Sequence, residues 1–383
     1  MSLLTEKEIA VKFKVLLAGV ILVACTGFVH ADDDLFIYNI REKAMGGAGV
    51  ASVTGPHSLN RNPAGLANSR FDIKFLKIGV GLGDEGISQF SKLTDFKDAK
   101  GSDKFDKALA LSPSKFGLEF NSSPLLSFVN TGFGVGVFTG GQVLGEFYNG
   151  VNGPELNLKG GIDFTPVLGI GNKAQWFGKD VNWGLGVRYL SRSRVINSST
   201  GETTFKKNVS DFSGNDPKID VTYATASGIA FDTGLQIPNG EGMWGVALRN
   251  IGGDLKGDYK VTGNVKKDYS EKLPLDLRVG YATPLDFRAV PFVGGIVGKL
   301  DSAIDYRFAS GAIFKNLYMG VEKKIIGDFL KVQMGLSQGY PTVGTSLDLI
   351  LLKFNYAYSV EEKGNQIGDD PYPAHYAELS ILF

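Results

Sequence analysis

From about residue 114 onward the chain repeats one pattern: an apolar side chain, then a small or polar one. In Val181–Tyr189, Trp183, Leu185, Val187 and Tyr189 alternate with Gly184, Gly186 and Arg188. In Leu275–Tyr281, Leu277, Val279 and Tyr281 alternate with Asp276, Arg278 and Gly280. The same rhythm runs through Leu317–Val321, Leu330–Leu336 and Leu352–Tyr358. A period of two puts all the apolar side chains of a strand on one face. Roughly 14 such segments lie between Phe71 and Phe383, each close to the ~9–11 residues that cross a bilayer at a tilt.

Two architectures give this alternation. A soluble sandwich buries the apolar face against a second sheet. A transmembrane barrel turns it toward lipid and keeps the polar face inside. Three features favour an all-β, antiparallel barrel of about 14 strands. First, the chain begins like an exported protein and has a single Cys, so no disulfide framework supports it. Second, Tyr356, Tyr358, Tyr372 and Tyr376 cluster near strand ends, where interfacial girdles are expected. Third, the chain ends on an alternating strand closing on Phe383. Tyr376, Leu379, Ile381 and Phe383 resemble the terminal signal that barrel-assembly machinery recognises, with Leu379 and Ile381 on the face of Phe383. Short connections such as Ile326-Gly327-Asp328 and Gly339-Tyr340-Pro341-Thr342 contrast with the polar stretches Asn197–Lys218 and Glu361–Ala374, which read as outer loops.

Lys12 and Lys14 precede an apolar run from Val15 to Val29, then Val29-His30-Ala31 and three aspartates. This reads as a secretory signal over residues 1–31, cleaved after Ala31. Leu22-Val23-Ala24-Cys25 resembles a lipobox, which makes lipidation at Cys25 the alternative. Apolar residues continue past Cys25, which favours the cut after Ala31. Either way the chain is exported, and no later stretch has the 18 or so consecutive apolar residues of a helical span.

Between leader and strands lies Arg41–Ala67, glycine-rich and almost free of large apolar side chains. Ahead of a barrel, a segment of small residues suits a compact plug. Ala44-Met45-Gly46-Gly47-Ala48-Gly49-Val50-Ala51, followed by Asn62-Pro63-Ala64-Gly65-Leu66-Ala67, resembles the N-terminal signature of the FadL-type outer-membrane barrels. That group includes long-chain fatty-acid transporters, PorV-like proteins and TraF-like exported barrels. The resemblance covers about 30 of the 383 residues. It implies a 14-stranded barrel whose residues 32–70 fold inward as a hatch, with residues 71–383 forming the wall. The hatch residues implied are Met45, Gly46, Gly47, Ala48, Gly49, Asn62, Pro63, Ala64, Gly65 and Leu66. Small residues let such a segment change conformation at low steric cost, and Pro63 restricts Asn62 to extended geometry. Residues 85–110 read as a helical excursion, with Ile87, Phe90, Leu93 and Phe96 at amphipathic spacing.

Composition excludes several functions. Basic and acidic residues number 40 each, so nothing marks a nucleic-acid binder. The three histidines are scattered, so no metal site and no cofactor is expected. No nucleophile elbow, Walker loop or zinc-protease motif occurs, and no catalytic residue is assigned. The expected function is passage of hydrophobic, fatty-acid-like molecules across an outer membrane through a hatch-gated route. Phe133, Phe138 and Phe147 are the candidate ligand-lining residues, and a kink or gap is expected in one strand. The alternative is a PorV-like adaptor or shuttle for an exported protein, because Gly252–Val265 and Leu273–Arg278 resemble that branch. The partners expected are outer-membrane lipid, the assembly machinery, and either a hydrophobic small molecule or an exported protein.

Overall fold

The computed structural model describes residues 37–99, 102–151, 153–176, 178–197, 201–209, 222–260, 265–288, 297–309, 311–349 and 351–382. The leader, Cys25, Ala31 and Phe383 lie outside them. No described helix is long and apolar enough to cross a membrane.

The described strands run in chain order as β1 (Asp72–Gly83), β2 (Ser114–Asn130), β3 (Phe133–Gly150), β4 (Gly153–Trp176), β5 (Lys179–Ile196) and β6 (Phe205–Asn208). Then come β7 (Thr222–Asn239), β8 (Gly242–Ile251), β9 (Asp254–Lys260), β10 (Lys266–Lys272), β11 (Asp276–Asp286) and β12 (Lys299–Phe308). Last are β13 (Leu317–Ile326), β14 (Leu330–Ser337), β15 (Tyr340–Asp348), β16 (Leu352–Glu362) and β17 (Pro371–Leu382).

Pairing is antiparallel throughout and closes on itself. Starting from β1, the ring runs through β2, β3, β4, β5, β7, β8 and then β11 to β17 in order, and β17 returns to β1. That is a closed barrel of 14 strands. Closure removes the free edges that an open sheet would present. Strand β6 adds to β4, and the β9–β10 hairpin adds to β7.

We call the end that carries the start of β1 and the end of β17 the proximal rim. Its turns include Thr131-Gly132 and Gly327–Phe329. The distal rim carries residues 84–113, the connection after β5, the β9–β10 hairpin and residues 363–370. The long polar stretches thus share one rim. So does the short turn at Gly339, which is followed at once by strand from Tyr340, rather than by a longer connection. Strands β2 to β5 and β7 reach 17 to 24 residues. They exceed the length needed to cross, and raise one side of the wall beyond the distal rim.

The alternation holds in space. On β5, Leu185, Val187 and Tyr189 are exposed on the outside, while Arg188 points inward and is buried. Ile162, Phe164, Leu168, Ile229, Phe231 and Met334 continue the same outer apolar surface. Such a contiguous band is far larger than soluble proteins expose, and it matches the lipid-facing belt of a transmembrane barrel.

Two parts of the girdle expectation need correction. Tyr372 and Tyr376 are buried and face the interior, Tyr376 with a ring contact to Tyr38 at 5.5 Å. Tyr376 therefore lies on the opposite face from Leu379, which is exposed on the outer surface. The reason is the period of two: an odd residue spacing separates them. Tyr356 and Tyr358 do face outward, beside His375.

Candidate functional site

The segment from Ile37 to Asn68 lies inside the barrel. It is built from short pieces: a helix at Ile40–Ala44, a 3-10 turn at Gly55–His57, a helix at Ser58–Arg61 and a 3-10 helix at Pro63–Asn68. Each local choice follows from the sequence. Asn39 caps the first helix by accepting from the Arg41 N–H at 3.0 Å. Gly46 and Gly47, with φ of 68° and 83°, turn the chain after it. Asn62 is fully buried in extended geometry. Its side chain accepts from the Ala64 N–H at 3.1 Å and donates to the Val50 carbonyl at 2.9 Å and the Leu235 carbonyl at 3.2 Å. Pro63 occupies the first helical position, where its missing N–H is harmless.

The wall holds this plug with side chains from many strands. Asp305 on β12 accepts from the N–H groups of Gly49 and Val50 at 2.8 and 3.0 Å, and Arg61 donates to it at 3.2 Å. Gln236 on β7 donates to the carbonyls of Ala51 and Val53, both at 3.0 Å. Thr342 on β15 donates to the Ala44 carbonyl at 2.9 Å. Arg41 forks onto Glu322 of β13 at 2.6 and 2.8 Å. Lys43 pairs with Glu361 and lies 4.1 Å and 4.3 Å from the ring centroids of Tyr38 and Tyr376.

Glycines on the wall make the close approach possible. A Cβ at Gly245 would stand 2.5 Å from the Ala51 Cα, and one at Gly320 would stand 2.6 Å from the Met45 carbonyl carbon. Apolar contacts complete the seating: Leu59 and Leu66 pack on Val129, Phe138 and Val167, and Ala48 and Ala51 on Ala282, Ala303 and Tyr318. All the residues singled out from the motif, Met45, Gly46, Gly47, Ala48, Gly49, Asn62, Pro63, Ala64, Gly65 and Leu66, sit in this plug.

Between the plug and the distal rim lies a cavity of about 610 Å³. Its floor is plug, from Ile37, Tyr38, Glu42, Lys43, Asn60 and Arg61, and its walls come from strands and loops of the distal half. Leu144, Tyr318 and Tyr372 give it apolar surface, while Lys115, Lys159, Arg249, Arg278 and Arg307 give it basic groups.

The three phenylalanines expected to line a ligand route do not converge. Phe133 is on the exposed outer face. Phe147 also faces outward, buried beneath Ala108 and Leu111 of a helix packed against the wall. Only Phe138 points inward, and it is covered by Leu59 and Leu66. Phe133 and Phe147 share a face through even spacing, and Phe138 falls on the other through odd spacing, so counting residues already separates them.

The ionic ladder of the interior was not anticipated. Arg192, fully buried, forks onto Asp163 at 2.6 and 2.7 Å and also meets Glu271. Arg188 donates to Asp232 at 2.7 Å and to Asn250 at 2.6 Å. Arg249, Arg278 and Arg307 all reach Asp276. The signal was present: Arg188, Arg192 and Arg194 fall on alternate positions of one strand.

Beside the plug the pairing of β1 with β2 is irregular. Pairing of β1 with β2 runs to Phe75↔Leu126 and resumes only at Gly79↔Asn121. Leu76 there has a φ of 55°, an unusual value for a non-glycine residue. Its insertion switches which β1 residues face inward, so that Lys77 is buried and Phe75 and Ile78 are exposed. On the other side of the seam Pro124 has no N–H to offer.

Fold and site together define a closed antiparallel barrel with its own N-terminal segment inserted as a plug. No family model and no curated protein matches the chain. Among solved structures, the Pseudomonas putida toluene transporter TodX aligns over 92% of this chain and 99% of its own, with 14% identity and a TM-score of 0.48. The Ralstonia pickettii toluene transporter TbuX aligns over 91% and 98%, with 13% identity and a TM-score of 0.41. The CymD monoaromatic hydrocarbon channel aligns over 91% and 98%, with 12% identity and a TM-score of 0.43. The barrel described above is defined by its own strand pairing, independently of these likenesses.

Proposed function

We propose that this protein is an outer-membrane barrel that passes small hydrophobic molecules of the fatty-acid type, with the plug as gate and the distal rim outside the cell. The observation that carries this reading is the position of the cavity: its floor is the plug itself. Whatever enters from the distal rim meets an element held by side-chain contacts rather than by strand pairing. The volume is in the range of small-molecule sites, about 300–1,000 Å³. Leu144, Tyr318 and Tyr372 suit an apolar body, and basic lining residues outnumber acidic ones, which suits a carboxylate head. The lapse in β1–β2 pairing supplies the gap in the wall through which an apolar molecule would leave sideways.

The test is uptake of labelled oleate by liposomes that hold the purified protein. Ala48→Cys with Ala303→Cys, two positions in one apolar cluster, would tie plug to wall. Uptake should stop on oxidation and return with reductant. Uptake equal to that of empty liposomes, or unaltered by the cross-link, would overturn the reading.

A second reading, an adaptor for an exported protein, is favoured by the ionic ladder. Arg188, Arg192 and their partners fill one side of the lumen with buried charge, a poor surface for an apolar molecule. Affinity purification from outer membranes separates the two, since an adaptor should retain a stoichiometric partner.

A further inference from the structure

The connection from β1 to β2 forms three helices, Asp84–Ser88, Phe90–Asp98 and Ser102–Leu111. They pack on the outside of the wall. Ala108 and Leu111, with Leu93 and Phe96, cover Phe116, Phe147, Leu156 and Leu158 on the outward face of β2, β3 and β4. Phe96 and Phe147 meet edge to face at 5.0 Å. Having buried one apolar side, the helices still expose another. Phe90 is 70% exposed, and Ile87, Phe105 and Leu109 are exposed as well. Phe105 and Leu109, four residues apart in the last helix, share one flank. Asp103 lies on the far side of the last helix from both.

Two observations say what covers this flank. The first is continuity. Phe116 stands two residues along β2 from Leu118, and Phe147 stands two turns of the pleat along β3 from Val143. Leu118 and Val143 are exposed members of the apolar belt. The helices therefore begin where the belt ends. The second is an anchor at the same depth. Asp84, the first helical residue, bonds His375 Nε2 at 2.7 Å, and His375 Nδ1 lies 2.7 Å from the Tyr356 hydroxyl. Tyr356, Tyr358 and His375 form an outward aromatic group at the distal end of the belt. Amphipathic rings of this kind sit at headgroup level.

We infer that the 84–111 segment is an interfacial collar whose partner is the lipid surface itself, with Ile87, Phe90, Phe105 and Leu109 inserted at the boundary between headgroups and acyl chains. An apolar flank placed there leaves water while the charged sides stay hydrated, and the depth expected is roughly 5–10 Å. Because the collar joins the two strands bordering the irregular seam, its hold on lipid also bears on that seam.

The test uses full-length chains with Cys25→Ser and one new cysteine each: Phe90→Cys, Leu109→Cys, or Asp103→Cys as the hydrated reference. Each carries an environment-sensitive fluorophore in phosphatidylcholine vesicles, and heat-modifiable gel migration confirms the barrel. Labels at 90 and 109 should be quenched by a lipid carrying its quencher high on the acyl chain, and should be shielded from aqueous iodide. The label at 103 should show the reverse. Iodide quenching of 90 and 109 equal to that of 103, or no quenching by the lipid probe, would overturn the inference. If Phe90→Cys fails to fold, Leu109→Cys against Asp103→Cys decides it alone.

Discussion

Asp305 accepts from the backbone N–H of Gly49 at 2.8 Å, joining the middle of the plug to β12 through a fully buried carboxylate. The same carboxylate takes the N–H of Val50 and a guanidinium N–H of Arg61. One wall side chain thus gathers donors from both halves of the plug.

Asp305→Ala should loosen the plug and leave the barrel closed. Each buried donor left without its acceptor costs about 1–3 kcal/mol, while β12 keeps its backbone ladder to β11 and β13. Limited proteolysis should cut within residues 40–68 much faster than in the parent, with gel mobility of the barrel unaltered. Equal cutting rates would show that Asp305 does not hold the plug.

Gly245→Val should do the same by steric means, since a Cβ there meets the Ala51 backbone at 2.5 Å. Gly186→Ala should be tolerated, because its nearest neighbour would be the Asp232 Cβ at an ordinary 3.5 Å. Both glycines face inward, so the contrast separates plug contact from a general need for small residues. Labelling of a cysteine placed at Ser52 reads the difference.

Arg192→Ala should destabilise the barrel itself. It strands Asp163 in the interior, and breaking a buried pair from one side costs roughly 3–5 kcal/mol. Urea unfolding in lipid vesicles measures this. A change below about 1 kcal/mol, the worth of an exposed pair, would mean that the Asp163 carboxylate is hydrated.

Leu185→Arg tests the outer belt. On a surface facing water the substitution should be nearly silent, within about 0.5 kcal/mol. Facing lipid near mid-depth it should cost about 2–4 kcal/mol. The same unfolding measurement distinguishes the two.

Much of the architecture was legible because the side-chain period of a strand is a local property. Leu185, Val187 and Tyr189 outside, with Arg188 inside, follow from counting residues. The plug was legible for a similar reason: Gly46, Gly47 and Asn62-Pro63 prescribe turns and caps that depend only on near neighbours. The cavity was not legible. Its lining draws on Lys43, Leu144, Arg249, Tyr318 and Glu361, which come together only because the ring closes and the plug inserts.

By itself, then, the sequence determined the two faces of each strand and the small-residue segment ahead of them. The tertiary structure decided what each face met. Tyr376 met Lys43 of the plug, and Phe147 was covered by a helix. It also decided how Leu76 switches the facing of β1, and which carboxylate each buried arginine meets. The physical reason is range. Alternation and capping act over a few residues, whereas the pairing of Arg192 with Asp163, or of Gly49 with Asp305, depends on strand register around a closed ring.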